Sequence, residues 1–338
     1  DSLSVQGRDS TDRGIDRNEI FEMLGFVKRI ALKSGKIFYE NSLGQELLLA
    51  HSLNGFLIGS QLDSSLVRMD GRLFASDENN LKIDGHVNVS RARIGRLRIQ
   101  ILESEPTSEQ PFLLPNYVEI TSGKLKGEIF YKQGEGARGT ILVEEGAFSL
   151  KGADLSFSGM SFKGDIQDNR IYVQSQIESF NGSPLVINGT VDNLPDPRLE
   201  LEVQSTQFDI PEFFRQAIPG LNLDITGRTK LSMKIQDSPY NPHLSGTIQV
   251  DDLDVYGIKL NRFVSRIQLQ DSILVMQGDG VNQDALKLEL NGHLDFSENR
   301  RTVNLNAALQ GNLISSIPLL LSRRITQFSG EVALNIFG

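Results

Sequence analysis

The chain has no cysteine and no tryptophan, and only four histidines. The lack of cysteine excludes disulfides, thiolate metal sites and cysteine nucleophiles. It is compatible with an oxidising compartment such as the periplasm without fixing one. Aromatic residues make up 7% of the 338 residues, so stacking platforms for bases or sugars are scarce. Cations are outnumbered, 34 Lys+Arg against 43 Asp+Glu for a net charge of −9, which argues against a nucleic-acid partner. No apolar run approaches the ~20 residues needed to cross a bilayer. The chain opens polar at Asp1-Ser2-Leu3-Ser4, without a signal-peptide pattern, and stops on the alternating Glu331-Val332-Ala333-Leu334-Asn335-Ile336. The expectation is a piece of a longer protein, with any anchor outside it.

What is present is alternation at period 2, the mark of half-buried strands. Leu199-Glu200-Leu201-Glu202-Val203, Leu286-Lys287-Leu288-Glu289-Leu290 and Val303-Asn304-Leu305-Asn306-Ala307 all show it. Turn residues stand between such runs at hairpin distance, as at Gln167-Asp168-Asn169 and Asn181-Gly182-Ser183. The pattern predicts an all-β chain of consecutive antiparallel strands.

The second half is also written twice. Residues 159–233 lie over residues 262–336 at a constant offset of 103. Asn188-Gly189-Thr190-Val191-Asp192 falls on Asn291-Gly292-His293-Leu294-Asp295, and Ile171, Val173, Leu185 and Ile187 fall on Leu274, Met276, Leu288 and Leu290. Leu199 and Leu201 fit Val303 and Leu305 only after a slip of one residue. Upstream, Gly139-Thr140-Ile141-Leu142-Val143 matches Gly246-Thr247-Ile248-Gln249-Val250. Apolar positions recurring in phase mark a repeated structural unit. Such a chain builds a surface or a conduit more readily than one catalytic pocket.

Short helices are predicted after Asp209, with Pro211 in the first turn and Glu212 at the reciprocal capping position, at its repeat equivalent from Asn312, and at Arg17–Leu24. The Ser/Glu/Pro stretch 104–110 reads as a linker. The expected organisation is an N-terminal β-rich part, 1–103, followed by repeat units at 111–240 and 241–338.

Motifs of chemistry are weak. Gly134-Glu135-Gly136-Ala137-Arg138-Gly139 spells the dinucleotide fingerprint, but a strand pattern follows where a helix N-terminus is required, so a glycine-rich turn is favoured. His51, His86, His243 and His293 show no zinc spacing; His86 and His293 read as solvent-facing strand residues. Glu144-Glu145 and Asp251-Asp252 with Asp254 could hold a cation or act as acid and base. The plainer reading is a turn or edge whose charge discourages sheet-to-sheet pairing. Arg91, Arg93, Arg96 and Arg98 alternate with apolar residues. They form either a ladder suited to lipid phosphate or a solvated face.

Gly-Thr-Ile-x-Val strand openings (139–143, 246–250), Asn-Gly-x-Val/Leu-Asp segments (188–192, 291–295) and Ile225-Thr226-Gly227 or Phe328-Ser329-Gly330 leading into a strand make this chain resemble the TamB/AsmA-like superfamily. The resemblance covers most of the chain beyond residue 30. It implies an elongated, taco-shaped antiparallel sheet with an apolar concave groove. It also implies an inner-membrane-anchored protein of the Gram-negative periplasm that passes phospholipid between the membranes, with outer-membrane assembly proteins of the BamA/TamA type as partners. No functional residue is carried over, because the family has no residue motif to match.

From alternation and the repeat, the candidate groove residues are Ile141, Val143, Ile171, Val173, Leu185, Ile187, Leu199, Leu201, Val203, Ile248, Val250, Leu274, Met276, Leu288, Leu290, Val303 and Leu305. No catalytic residue, metal or cofactor is expected. A chaperone that captures β-strands of client proteins is the alternative. An extracellular adhesin is disfavoured by the few aromatics, and an enzyme ranks last.

Overall fold

The computed structural model describes residues 29–40, 46–59, 65–74, 76–88, 93–105, 118–150, 155–178, 184–193, 196–217, 224–239, 241–255, 258–270, 273–281, 287–295, 302–312 and 329–337. These residues form β1 (Arg29–Glu40), β2 (Glu46–Ile58), β3 (Ser65–Leu73), β4 (Leu81–Asn88), β5 (Arg93–Ser104), β6 (Val118–Lys132), β7 (Gly136–Leu150), β8 (Leu155–Gln167) and β9 (Arg170–Ile177). β10 (Leu185–Asp192) and β11 (Arg198–Ser205) follow, and then the helix α1 (Ile210–Ala217). The chain continues as β12 (Ile225–Ser238), β13 (Asn241–Val255), β14 (Ile258–Gln270), β15 (Ile273–Val281), β16 (Lys287–Asp295), β17 (Thr302–Asn312) and β18 (Ser329–Phe337).

The 18 strands make one antiparallel sheet in which each strand pairs with the next in sequence. Among the described residues β1 and β18 each pair on one side only, so the sheet is open. Antiparallel neighbours need only short connections. The turn after Gln167 is one such connection, with Asp168 at a φ of 58°. The glycine-rich segment is also a turn, with Gly134 and Gly136 at φ 84° and 79° and Gly139 already within β7.

Alternation in the sequence becomes alternation in burial. β9, β11 and β15 each bury every second residue toward one face. That face carries a core around Ile177, Leu185, Val203, Leu231, Ile267, Met276 and Leu294. A second cluster joins Ile210 to Val250, Leu253, Leu260 and Phe263, and a third lies between β2 and β4 around Ala50, Leu53, Leu73, Leu81 and Ile83. Each fully buried aliphatic side chain contributes about 1.5–3 kcal/mol relative to exposure.

The helix begins where predicted. The Glu212 amide donates to Asp209 Oδ1 at 3.0 Å, so Asp209 is the cap. Glu212 pairs with Arg215. Ile210 packs on β13 and β14, and the helix also touches β8 and β12. Asn312, the repeat equivalent of Asp209, is the last residue of β17, opposite Ser329. The helix expected from Asn312, and the one at 17–24, lie outside the described residues.

The carboxylates are corrected as well. Glu144-Glu145 and Asp251-Asp252 stand at bulges within interior strands, not in a turn or at an edge. Glu145 and Asp252 both adopt a φ of 53°, the left-handed conformation an extra bulge residue uses.

Candidate functional site

Cross-strand partners in an antiparallel pair project to the same face, so register decides which candidate residues belong together. Ile141 and Val143 oppose Gly164 and Phe162, which in turn oppose Val173 and Ser175. Ile171 and Val173 oppose Val191 and Gly189, and Leu185 opposes Ile177. Across the next pair, Ile187, Gly189 and Val191 meet Val203, Leu201 and Leu199. The same face passes through Met233 and Ile235 to Ile248 and Val250. From there it runs through Ser265 and Phe263 to Gly278 and Gly280, with Ile267 and Leu269 meeting Met276 and Leu274. It ends with Leu290 and Leu288 opposite those glycines, and with Val303 and Leu305 opposite Leu294 and Gly292.

All seventeen candidates therefore share one face, spread over eight strands. Val173, Leu185, Val203, Val250 and Met276 are buried. Ile141, Val143, Ile171, Ile187, Leu199, Leu201, Ile248, Leu274, Leu288 and Leu290 are partly buried. For Val303 and Leu305 the backbone is described and the side chains are not.

Several members of this face were missed by pattern reading. Ser175, Ser205, Thr229 and Ser265 are buried hydroxyls on it. Ser175 Oγ donates to the Ser161 carbonyl at 2.9 Å, which satisfies its proton inside apolar surroundings. Phe157, stacked on Phe148 at 4.8 Å, and Phe208, against Phe213 at 5.6 Å, also border the core. Alternation does not flag them, because β7 and β8 shift register near the former pair and Phe208 precedes a helix.

The opposite face is ionic. Arg68 meets Asp84 at 2.9 Å, Lys124 meets Glu145 at 2.8 Å, and Lys126 meets Glu144 at 3.1 Å. Arg228 meets Asp252 at 2.6 Å, and Lys230 meets Asp251 at 3.4 Å. The hydrogen bond from Lys124 holds the Glu145 carboxyl below its ordinary range and the ammonium above its own. For Asp251 the leading cause of a lowered pKa is the hydrogen bond from Gln249. Each bulge carboxylate is thus matched to a cation on the preceding strand. No cluster of His, Asp and Glu among the described residues could hold a metal ion.

His86 and His293 lie on the ionic face as expected, since Gly85 and Val87, and Gly292 and Leu294, take the other. His293, Asn291, Asn304, Asn306, Ile273 and Val275 line a shallow hollow of about 400 Å³ there. Asn304 Oδ1 is buried and has no hydrogen-bond partner among the described residues.

The arrangement offers a long apolar wall interrupted by the buried hydroxyls of Ser175, Ser205, Thr229 and Ser265. No helix among the described residues is long and apolar enough to cross a membrane. No protein family, no curated protein and no solved structure matches the chain.

Proposed function

We propose that this chain is a stretch of a lipid conduit: a periplasmic, membrane-anchored β-groove that carries phospholipid acyl chains between inner and outer membranes. The observation that carries this reading is the single apolar face, continuous in register through every strand pair from β7 to β17. An apolar sheet face must be covered by itself, by helices, by another protein or by lipid. Among the described residues one eight-residue helix lies against it. A curled sheet that leaves room for acyl chains meets that requirement, and the TamB/AsmA-like texture of the sequence agrees with it.

The repeat belongs to the same reading. β8 and β14 begin and end 103 residues apart, as Leu155–Gln167 and Ile258–Gln270. The segments 111–240 and 241–338 then act as successive units of one groove, preceded by 1–103, and no unit needs a catalytic residue. Outer-membrane assembly proteins remain the proposed protein partners.

A photo-crosslinking side chain at Leu201 or Leu288 tests this, with Glu202 or Glu289 as the control on the ionic face. Phospholipid should be labelled from the first pair and not from the second. Equal labelling from both faces, or none from Leu201 and Leu288, defeats the conduit reading. The strand-capture alternative draws on the one-sided pairing of β1 and β18. Labelling of peptide instead of lipid would favour it.

A further inference from the structure

On the ionic face, cations generally stand directly opposite acids. Arg170 is the cross-strand partner of Asp192, Lys234 of Glu202, Arg228 of Asp251 and Lys124 of Glu144. Like charges also face each other: Asp279 stands opposite Glu289, and one pair is made of cations. At the end of the sheet formed by the start of β5 and the β6–β7 hairpin, Arg96 stands directly opposite Lys132. Like charges so placed repel, and neither residue is moved aside. The Gln133 amide donates to the Gly95 carbonyl at 2.9 Å and ties the hairpin tip to β5. Arg96 Nε donates to His86 Nδ1 at 2.9 Å, which holds the guanidinium in place but supplies no negative charge.

Three further cations stand beside this pair. Arg93 opens β5, and Phe130 stands opposite both Arg98 and Arg138. Arg98 is paired with Glu128, and Lys132 with Glu135. Arg93, Arg96 and Arg138 lie in no ion pair among the described residues. Asp84 stands opposite Arg98 and the Asp168 carboxylate lies beside Gly136, so the five cations meet four carboxylates and the rim keeps a small positive excess on a chain whose net charge is −9.

The rim is also apolar. Ile94, Phe130 and Tyr131 are 38%, 45% and 37% exposed, and the Arg98 guanidinium lies 5.4 Å from the Phe130 ring centroid. Ile94 and Tyr131 continue the inner face, through Val87 and Leu97, to the edge of the sheet.

We propose that this rim, Arg93, Arg96, Lys132 and Arg138 with Ile94, Phe130 and Tyr131, docks the sheet on the surface of an anionic lipid bilayer. Guanidinium groups fit phosphate oxygens in bidentate fashion. Aromatic rings settle at headgroup depth, where one edge is wet and the body is apolar. Surface anionic charge further relieves the Arg96–Lys132 repulsion, which Glu135 offsets at Lys132 alone. Docking here would set one long side of the apolar face against the lipid, but it does not depend on lipid entering that face.

Co-sedimentation of the 338-residue chain with vesicles tests the proposal. Vesicles of equal parts phosphatidylglycerol and phosphatidylcholine should bind it, more weakly as salt rises, and pure phosphatidylcholine vesicles should not. At roughly fivefold per cation, the triple variant Arg93→Gln, Arg96→Gln, Arg138→Gln should lose on the order of a hundredfold in affinity. The corresponding triple Lys variant should retain most of the binding, which separates charge from folding. Arg228→Gln, Lys230→Gln, Lys234→Gln, an equal loss of charge elsewhere on the same face, should leave binding unchanged. Leu201→Asp should also leave it unchanged while abolishing lipid crosslinking, so docking and the conduit can fail separately. Equal binding to neutral vesicles, or an equal loss in the β12 triple, overturns the proposal. So does displacement by inorganic phosphate, which would indicate a site for a free anion, or equal affinity for a DNA fragment.

Discussion

Gly189 on β10 lies flat against Leu201 on β11: a Cβ added to the glycine would stand 2.8 Å from the Leu201 Cα and 2.1 Å from the Glu200 carbonyl oxygen. The neighbouring strand leans over the glycine, and the sheet is creased there. The φ of Gly189 is 150°, in a region side chains rarely enter.

Gly189→Ala should therefore cost about 3 kcal/mol, combining backbone strain with a clash that no rotamer change relieves. Gly134→Ala is the comparison. That turn glycine also has positive φ, at 84°, but open space around it, and should lose only about 1 kcal/mol. Urea unfolding of the two variants checks this, and equal losses would mean the crease is not rigid.

The strands were legible in the sequence because a half-buried strand writes its two faces in alternate residues. Even the one-residue slip between Leu199 and Val303 has a structural counterpart. Leu199 opposes Val191 and Val303 opposes Leu294, while the connection from Asp295 to Thr302 is one residue longer than that from Asp192 to Arg198. What stayed hidden depends on contacts between strands. Nothing in Glu144-Glu145 announces that the second residue is skipped by the β7–β8 ladder, and Ser265 looks polar until Ile248 and Gly278 flank it.

The bulge residue Asp252 offers a second test. At φ 53° a glycine is at ease and a β-branched residue is not. Asp252→Gly should be near neutral, losing only the exposed ion pair to Arg228. Asp252→Val should cost about 1–2 kcal/mol. Thermal unfolding of both variants decides it, and equal midpoints would refute the left-handed assignment.

The Lys124–Glu145 pair has a defined pH signature. The folded carboxyl titrates below its ordinary value, so its contribution is present above that value and lost as pH falls through the folded pKa. The folded ammonium titrates above its ordinary value, so its contribution survives neutrality and is lost as pH rises through the folded pKa. Glu145→Gln should lower the melting temperature slightly at neutral pH and leave it unchanged in acid, the effect being small because both groups are exposed. A deficit that persists at low pH would point to packing instead of charge.

Asp209 has the opposite sign. Burial pushes its carboxyl above the ordinary value, so it favours the fold below that value and loses the advantage as pH rises toward the folded pKa. Asp209→Asn keeps an oxygen for the Glu212 amide without the buried charge and should flatten this dependence. Asp209→Ala removes the cap and should cost about 1 kcal/mol. Hydrogen exchange at the Glu212 amide reads both: protection kept in Asn, lost in Ala. Protection kept in Ala would mean another group caps α1.

Charge placed on the apolar face should distinguish its deep positions from its accessible ones. Val203 is 3% exposed within the core, whereas Leu201, two residues along the same strand, is only partly buried. A carboxylate at 203 has neither water nor a cation beside it, and its desolvation outweighs any local adjustment. Val203→Asp should cost at least 3 kcal/mol and yield little folded protein. Leu201→Asp can draw on water or lipid headgroups if the face is open along its length, and should cost about 1 kcal/mol while blocking the passage of acyl chains. Folding yield and phospholipid crosslinking, measured on the same two variants, separate the outcomes. If Leu201→Asp unfolds the chain as completely as Val203→Asp, the face is a closed structural core and no lipid travels along it.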